Sequence, residues 1–214
     1  MRRLLVLRAE PGASATVERA RERGLEAIAV PLFEIEPVPW EVPDVAGFDG
    51  LLLTSANAVR FSKEELRGLP VYAVGEATAE AARQAGFDIA ATGDAGVEKL
   101  LDSIESELKL LHLCGEHRRT AANAPQTITP VVAYRAIPVE AQLPESGLAL
   151  VHSPRAGKRL AELVRERGTV AIAAISGAAA EAVGGGWKAI EIAETPTDEA
   201  LLAVAERLCN NLPR

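Results

Sequence analysis

Residues 49–61 read DGLLLTSANAVRF. Three consecutive leucines, 51–53, suit a strand buried on both faces, as in a parallel sheet. A polar pair, Thr54-Ser55, ends the run, and Ala58, Phe61 and Leu66 then recur at helical spacing. The order is strand, turn, helix. At such a junction the first amides of the helix lack partners within it and face whatever lies beyond the strand end, which suits a carboxylate or phosphate.

A weaker copy occurs at residues 148–160, LALVHSPRAGKRL, where Ser153 falls in register with Ser55 and Arg155 with Asn57. Downstream of each copy, residues 72–87, YAVGEATAEAARQAGF, resemble residues 172–187, IAAISGAAAEAVGGGW. Both run from a short apolar strand through a small-residue turn and an alanine-rich helix to glycine and an aromatic. This is read as an internal pseudo-repeat, although α/β proteins also repeat such units without shared ancestry.

The rest of the chain divides on the same pattern. Strands are expected at 4–7, 26–30, 51–53, 71–74, 88–91, 109–113, 129–133, 148–152, 170–175 and 188–193. Helices are expected at 14–23, 56–67, 77–85, 95–106, 155–167, 178–183 and 198–209, with a short one opening 115–126. Two crossings lack a helix. Residues 31–39, PLFEIEPVP, and 134–139, YRAIPV, are extended and carry prolines, whereas parallel neighbours in one sheet need a long crossover. The chain is therefore expected to leave one sheet near 33–40 and return near 133–140. That gives a discontinuous first domain, residues 1–35 and 137–214, and an inserted second domain, 36–136. Each holds five strands, and the fold class is α/β, with two flavodoxin-like doubly wound parallel sheets.

A length of 214 residues allows a sizeable core in one large or two small domains. The formal net charge of −7 opposes a sequence-independent grip on nucleic acid or an anionic membrane, so an anionic ligand needs local basic groups or backbone donors. Four apolar residues between two arginines and Arg8 are too few for a signal-peptide core, and no later run nears membrane-spanning length. The expected location is the cytoplasm. Cys114 and Cys209 lie far apart and outside any CxxC motif, which fits free thiols in a reducing compartment.

In order and spacing, VLRAEPG (6–12), PLFEIEP (31–37), DGLLLTSANAV (49–59), YAVGEATAEA (72–81), CGEHRR (114–119), VVAYRA (131–136), HSPRAG (152–157), AIAAIS (171–176) and GWKAIEIAETPTDEALL (186–202) resemble the uroporphyrinogen-III synthase family over nearly the whole chain. Members of that family close and rearrange hydroxymethylbilane, a linear tetrapyrrole with eight carboxylates. The resemblance implies two flavodoxin-like domains joined by a two-stranded linker, with the active site in the cleft between them. It implies no metal or organic cofactor, a cytoplasmic monomer and a substrate handed over from hydroxymethylbilane synthase.

Carried residue by residue, Thr54 and Ser55 match the family's threonine-serine turn, Gly75 and Thr78 its glycine-to-threonine helix start, and Tyr134 its linker tyrosine, a candidate acid. The chain departs from the family at Ser176-Gly177-Ala178-Ala179, where many members have threonine, so a side-chain hydroxyl there rests on Ser176. The 115–128 region is also short.

Substrate contacts are expected at the helix starts, through Thr54, Ser55, Ala56, Gly75, Ala77, Thr78, Ser153 and Ser176, and at Gly115. Arg8, Arg118, Arg135 and Arg155 lie at or just beyond expected strand ends and add charge. An acid, here Tyr134, assists loss of the terminal hydroxyl, and holding the chain directs attack to the substituted carbon of the last ring. Among other candidates, His112, Cys114 and His117 form H-x-C-x-x-H, an incomplete ligand set without a fourth member. Gly184-Gly185-Gly186 reads as a helix stop. There is no P-loop, and no GxGxxG follows the first strand. The alternative from another class is a cytosolic two-domain binding protein that closes on a small polycarboxylate without chemistry.

Overall fold

Apolar runs alternate with small-residue turns along the chain, and the strands form where the runs are shortest and most continuous. The chain opens with β1 (Leu4–Val6), α1 (Gly12–Glu22), β2 (Ala27–Ala29) and β3 (Phe33–Pro37). It continues through β4 (Gly50–Leu53), α2 (Ala56–Arg60), β5 (Val71–Val74), α3 (Glu76–Gln84), β6 (Ile89–Gly93), α4 (Val97–Asp102), β7 (Lys109–Gly115) and β8 (Thr127–Pro138). The last part holds β9 (Gly147–Val151), α5 (Pro154–Leu163), β10 (Val170–Ala174), α6 (Gly177–Val183), β11 (Ala189–Ile192) and α7 (Asp198–Asn211). The computed structural model describes residues 3–94, 96–118 and 123–211. It divides into two compact units, residues 1–34 with 138–214 and residues 35–137.

In the first unit five parallel strands lie in the order β11-β10-β9-β1-β2. Every residue of β9 and β10 is buried, which is why GLALV and VAIAA show no polar alternation. On one face Leu4, Val6, Leu148, Leu150, Ala171 and Ala173 pack with α1 and with Leu201, Leu202, Val204, Ala205 and Leu208 of α7. Each such leucine or valine contributes roughly 1.5–3 kcal/mol on burial.

On the other face α5 and α6 lie side by side. Their approach depends on Gly157, where a Cβ would stand 2.9 Å from the Ala179 carbonyl oxygen and 3.0 Å from Val183 Cγ1. Gly157→Ala is therefore expected to destabilise the protein by about 1–3 kcal/mol through overpacking. That outweighs alanine's helix-propensity gain of at most about 1 kcal/mol. A lower denaturant midpoint at constant slope would be the sign.

In the second unit the order is β3-β8-β7-β4-β5-β6, with β8, β7, β4, β5 and β6 parallel. Leu51, Leu53, Val71, Ala73, Leu111, Leu113 and Ala133 pack with α2 and α3 on one face. Leu52 and Leu110 meet Leu100 and Leu101 of α4 on the other.

Each sheet has five parallel strands in a doubly wound arrangement, as the sequence predicts, with β3 added at the edge of the second, but the strand orders differ. In chain order the first unit runs 2-1-3-4-5, the flavodoxin arrangement. The parallel strands of the second run 3-2-1-4-5, the arrangement of dinucleotide-binding halves. Alternation of strand and helix specifies parallel pairing without specifying when the chain reverses direction across the sheet, so the flavodoxin expectation is corrected for the second unit.

Helix lengths differ too. The helix expected over 56–67 stops at Arg60, and a 3-10 turn follows at Glu64–Gly68. Ser62 Oγ donates to the Val59 carbonyl at 2.7 Å, and Ser103 Oγ does the same to Leu100 at 2.7 Å where α4 ends early. In both places a serine hydroxyl captures a carbonyl that the next turn would have used. The short helix expected to open 115–126 is a bend at Glu116 and His117 instead, and residues 119–122 lie outside the described residues. No helix among the described residues is long and apolar enough to cross a membrane.

Candidate active site

Doubly wound sheets bind ligands beyond the carboxyl ends of their strands, in the crevice where the strand order reverses. In the second unit that reversal lies between β4 and β7. Thr54 and Ser55 follow β4 there, and Glu116 to Arg118 follow β7.

Ser55 caps α2, its Oγ accepting from the Asn57 amide at 3.2 Å. It also shares a hydrogen bond with the Tyr134 hydroxyl. Tyr134 stacks on Phe61 with ring centroids 5.7 Å apart and lies against Gly115. A Cβ on Gly115 would stand 2.8 Å from the Tyr134 ring and 3.2 Å from its hydroxyl. A register shift between Cys114 and Gly115 brings Gly115 opposite Tyr134. Ser55, Gly115 and Tyr134, far apart in sequence, thus form one group. Burial raises the Tyr134 phenol above its ordinary value, with the Ser55 hydrogen bond opposing, so it is a protonated donor at neutral pH.

Thr54 Oγ1 meets His112 Nε2 at 3.2 Å. His112 is 5% exposed, and burial, helped by the Arg118 guanidinium, pulls its imidazole from an ordinary 6.5 down to about 4. Between those values the unfolded chain binds more protons than the fold, so stability falls as pH falls. At 1.36 kcal/mol per pH unit this reaches about 3 kcal/mol. Urea unfolding at pH 7 and pH 4.5 is expected to show most of that loss, and His112→Gln should flatten the dependence. Cys114 Sγ donates to the Val131 carbonyl at 3.4 Å.

Beyond β5, Gly75 adopts φ +83°, the left-handed region that favours glycine, with nothing near the space a Cβ would fill. It opens α3 without a side-chain cap. Ala77 is exposed there, whereas Thr78 is turned into the core at 5% exposure.

In the first unit the reversal lies between β1 and β9. Arg8 follows β1, and His152 and Ser153 follow β9. Ser153 Oγ accepts from the Ala156 amide at 3.1 Å and Ser176 Oγ from the Ala179 amide at 3.3 Å. Ser153 therefore repeats the capping role of Ser55, each serine oxygen accepting from an amide of the helix it opens. Arg155 stacks over Phe33 at 4.4 Å. In the second unit Arg135 pairs with Glu36 at 3.1 Å, while Arg118 is exposed.

The sequence reading missed Asp198, the first residue of α7. Its carboxylate accepts from Arg19 Nε at 2.9 Å and Nη2 at 2.6 Å, and from Thr16 Oγ1 at 3.1 Å. It also meets His152 Nε2 at 2.8 Å. Although burial works against it, the hydrogen bonds to His152 and Arg19 hold this carboxyl well below the ordinary range. Burial lowers the His152 imidazole, Asp198 opposing, so neutral His152 donates through Nε2. The signal available in sequence was a histidine closing the apolar run LALV and an acid opening a helix in TPTDEALL.

These features define a doubly wound α/β protein with polar groups at the reversal points of two sheets. The chain belongs to the uroporphyrinogen-III synthase HemD family, whose model matches residues 14–203. It is 34% identical over 101 residues to the uroporphyrinogen-III synthase of Chlorobaculum parvum, a match spanning 42% of this chain and 41% of that protein's length. The solved uroporphyrinogen-III synthetase of Helicobacter pylori 26695 shares the fold at 19% identity, with a TM-score of 0.67 over 97% of this chain and 100% of that one. A selenomethionine variant of the Thermus thermophilus uroporphyrinogen III synthase does so at 18% identity, with a TM-score of 0.56 over 99% and 100%.

Proposed function

We propose that the protein is a uroporphyrinogen-III synthase, a cyclising lyase of tetrapyrrole biosynthesis that converts hydroxymethylbilane to uroporphyrinogen III with loss of water and inversion of the last ring. Membership of the family across residues 14–203 carries the proposal and favours an enzyme over a binding protein. The two units serve as domains, the second inserted in the first. The protein works as a cytoplasmic monomer without a cofactor and takes its substrate from hydroxymethylbilane synthase.

In this mechanism Tyr134 donates its phenolic proton to the departing hydroxyl. Its ring is fixed between Phe61 and Gly115, and its hydroxyl is oriented by Ser55, so orientation is set before the substrate arrives. With that proton the hydroxyl leaves as water, and the cationic azafulvene that remains is stabilised by nearby carboxylates of the substrate itself. In the second unit Arg118 and the hydroxyls and amides at Thr54, Ser55, Ala56 and Ala77 are donors for substrate carboxylates; in the first unit Arg8, Ser153 and Ser176 are donors of the same kind. Held in this way, the chain closes at the substituted carbon of the last ring, giving a spiro intermediate. The older bond at that carbon breaks, and the freed end is attacked by the ring's other α-carbon to close the macrocycle with the ring inverted. The proton lost there restores the Tyr134 phenol.

The test is incubation of the purified protein with enzymatically generated hydroxymethylbilane, followed by chromatographic separation of the oxidised products. Type III isomer in large excess over type I is expected. Type I alone, formed at the rate seen without protein, would refute the assignment.

A further inference from the structure

The Arg8 guanidinium lies across the first turn of α1. A Cβ on Gly12 would stand 2.5 Å from Arg8 Nε, 2.7 Å from its Cζ and 2.9 Å from Nη2. Those distances are closer than side-chain carbons tolerate, so the guanidinium fills space that only glycine leaves. Glycine is otherwise a poor choice there, since it has lower helix propensity than alanine. On its other side Arg8 Nη1 stands 3.7 Å from Asp198 Oδ1. That is an ionic attraction too long for a hydrogen bond. Asp198 is itself fixed by Arg19, Thr16 and His152. The Arg8 side chain is 38% exposed and stands beyond β1, where the sheet reverses. It is a half-buried cation whose donors are not used by its neighbouring carboxylate.

We propose that Gly12 and Asp198 are positioning residues that hold the Arg8 guanidinium, from opposite sides, as a carboxylate-binding group of the substrate site. The proposal rests on the synthase assignment, in which the substrate brings eight carboxylates. Gly12 provides the seat, and Asp198 attracts the cation without occupying its planar fork, which stays free for bidentate recognition. The guanidinium remains charged at all working pH values although burial lowers its pKa.

Gly12→Ala tests this with little risk to the fold. Alanine suits a first helical turn, and the group that must give way is the mobile end of a long side chain. The expected result is a rise of about tenfold in KM for hydroxymethylbilane, as for loss of one charge-assisted contact. The kcat should change less than twofold, and the thermal midpoint should be unchanged or higher. Arg8→Ala should raise KM at least as far, and Gly12→Ala should add nothing in the Arg8→Ala background, because the new methyl then has nothing to displace. Independent effects of the two changes would overturn the proposal.

A second measurement does not depend on activity. The Arg8 Nε–Hε nitrogen resonance, assigned by its loss in Arg8→Lys, should move in Gly12→Ala. An unmoved resonance would overturn the seat, and a moved resonance with unchanged KM would overturn the carboxylate-binding role. A wild-type protein that does not convert hydroxymethylbilane would instead refute the assignment on which the role rests, whatever the resonance does.

Discussion

Tyr134→Phe is expected to lower turnover of hydroxymethylbilane by about 10²-fold, to let type I product accumulate and to leave the melting temperature nearly unchanged. The ring and its stacking on Phe61 at 5.7 Å survive, and only the hydroxyl shared with Ser55 is lost. General acid assistance is worth about 10²–10⁴-fold. The lower end applies because the substrate also cyclises unaided. A change confined to kcat, with KM within about twofold, would mark an interaction made in the transition state. Ser55→Ala, which keeps the phenol but removes its orienting partner, should fall between wild type and Tyr134→Phe. A Tyr134→Phe protein with full turnover and full type III yield would show that Tyr134 is packing rather than acid.

The largest effect on stability is expected at Asp198. Asp198→Ala takes the acceptor from His152, which is 7% exposed, and from Arg19, which is 46% exposed. Because His152 is neutral and Arg19 half exposed, no buried charge is stranded. Losing the charged acceptor of these hydrogen bonds costs about 1.5–3 kcal/mol each, and solvent around Arg19 screens part of this, so about 3 kcal/mol is expected. The sign with pH is fixed. The carboxyl is held below its ordinary value in the fold, so its contribution is fully present above pH 4 and fades as acid protonates it. Denaturant unfolding of wild type and Asp198→Ala should therefore differ most near neutrality and converge below pH 4. A constant difference across that range would mean that the carboxylate's charge is not what stabilises the fold.

Much of this architecture was legible in the residues because parallel strands buried on both faces are written as unbroken apolar runs. LLL at 51–53 and LALV at 148–151 mark β4 and β9 directly. The serines that follow them were legible for a related reason: a small polar residue between strand and helix has one structural task there, and Ser55 and Ser153 both perform it. Strand order in the second unit was not legible, since either order satisfies the same strand-helix alternation. Nor were the early helix ends at Ser62 and Ser103, where one side-chain hydroxyl outweighs a continuing helical pattern.

The Asp198 network escaped because its members lie far apart in the chain. Thr16 and Asp198 are 182 positions apart and His152 and Asp198 46, so no local spacing announces their meeting. Gly12 escaped for another reason, its role being an absence of atoms beside Arg8. Tyr134 was named from the family resemblance, but its partners Ser55 and Gly115 come together only through the register of β7 on β8.

Ring inversion itself can be read from one product spectrum. Hydroxymethylbilane carrying ¹³C at its hydroxymethyl carbon and at the substituted α-carbon of the last ring would be converted by the wild-type protein and the product examined by ¹³C NMR. Closure through the spiro intermediate joins the two labels directly, so a one-bond carbon–carbon coupling is predicted in nearly all the product. Closure at the free α-position leaves them unbonded, and a product without that coupling would contradict the assignment of this chain as a uroporphyrinogen-III synthase.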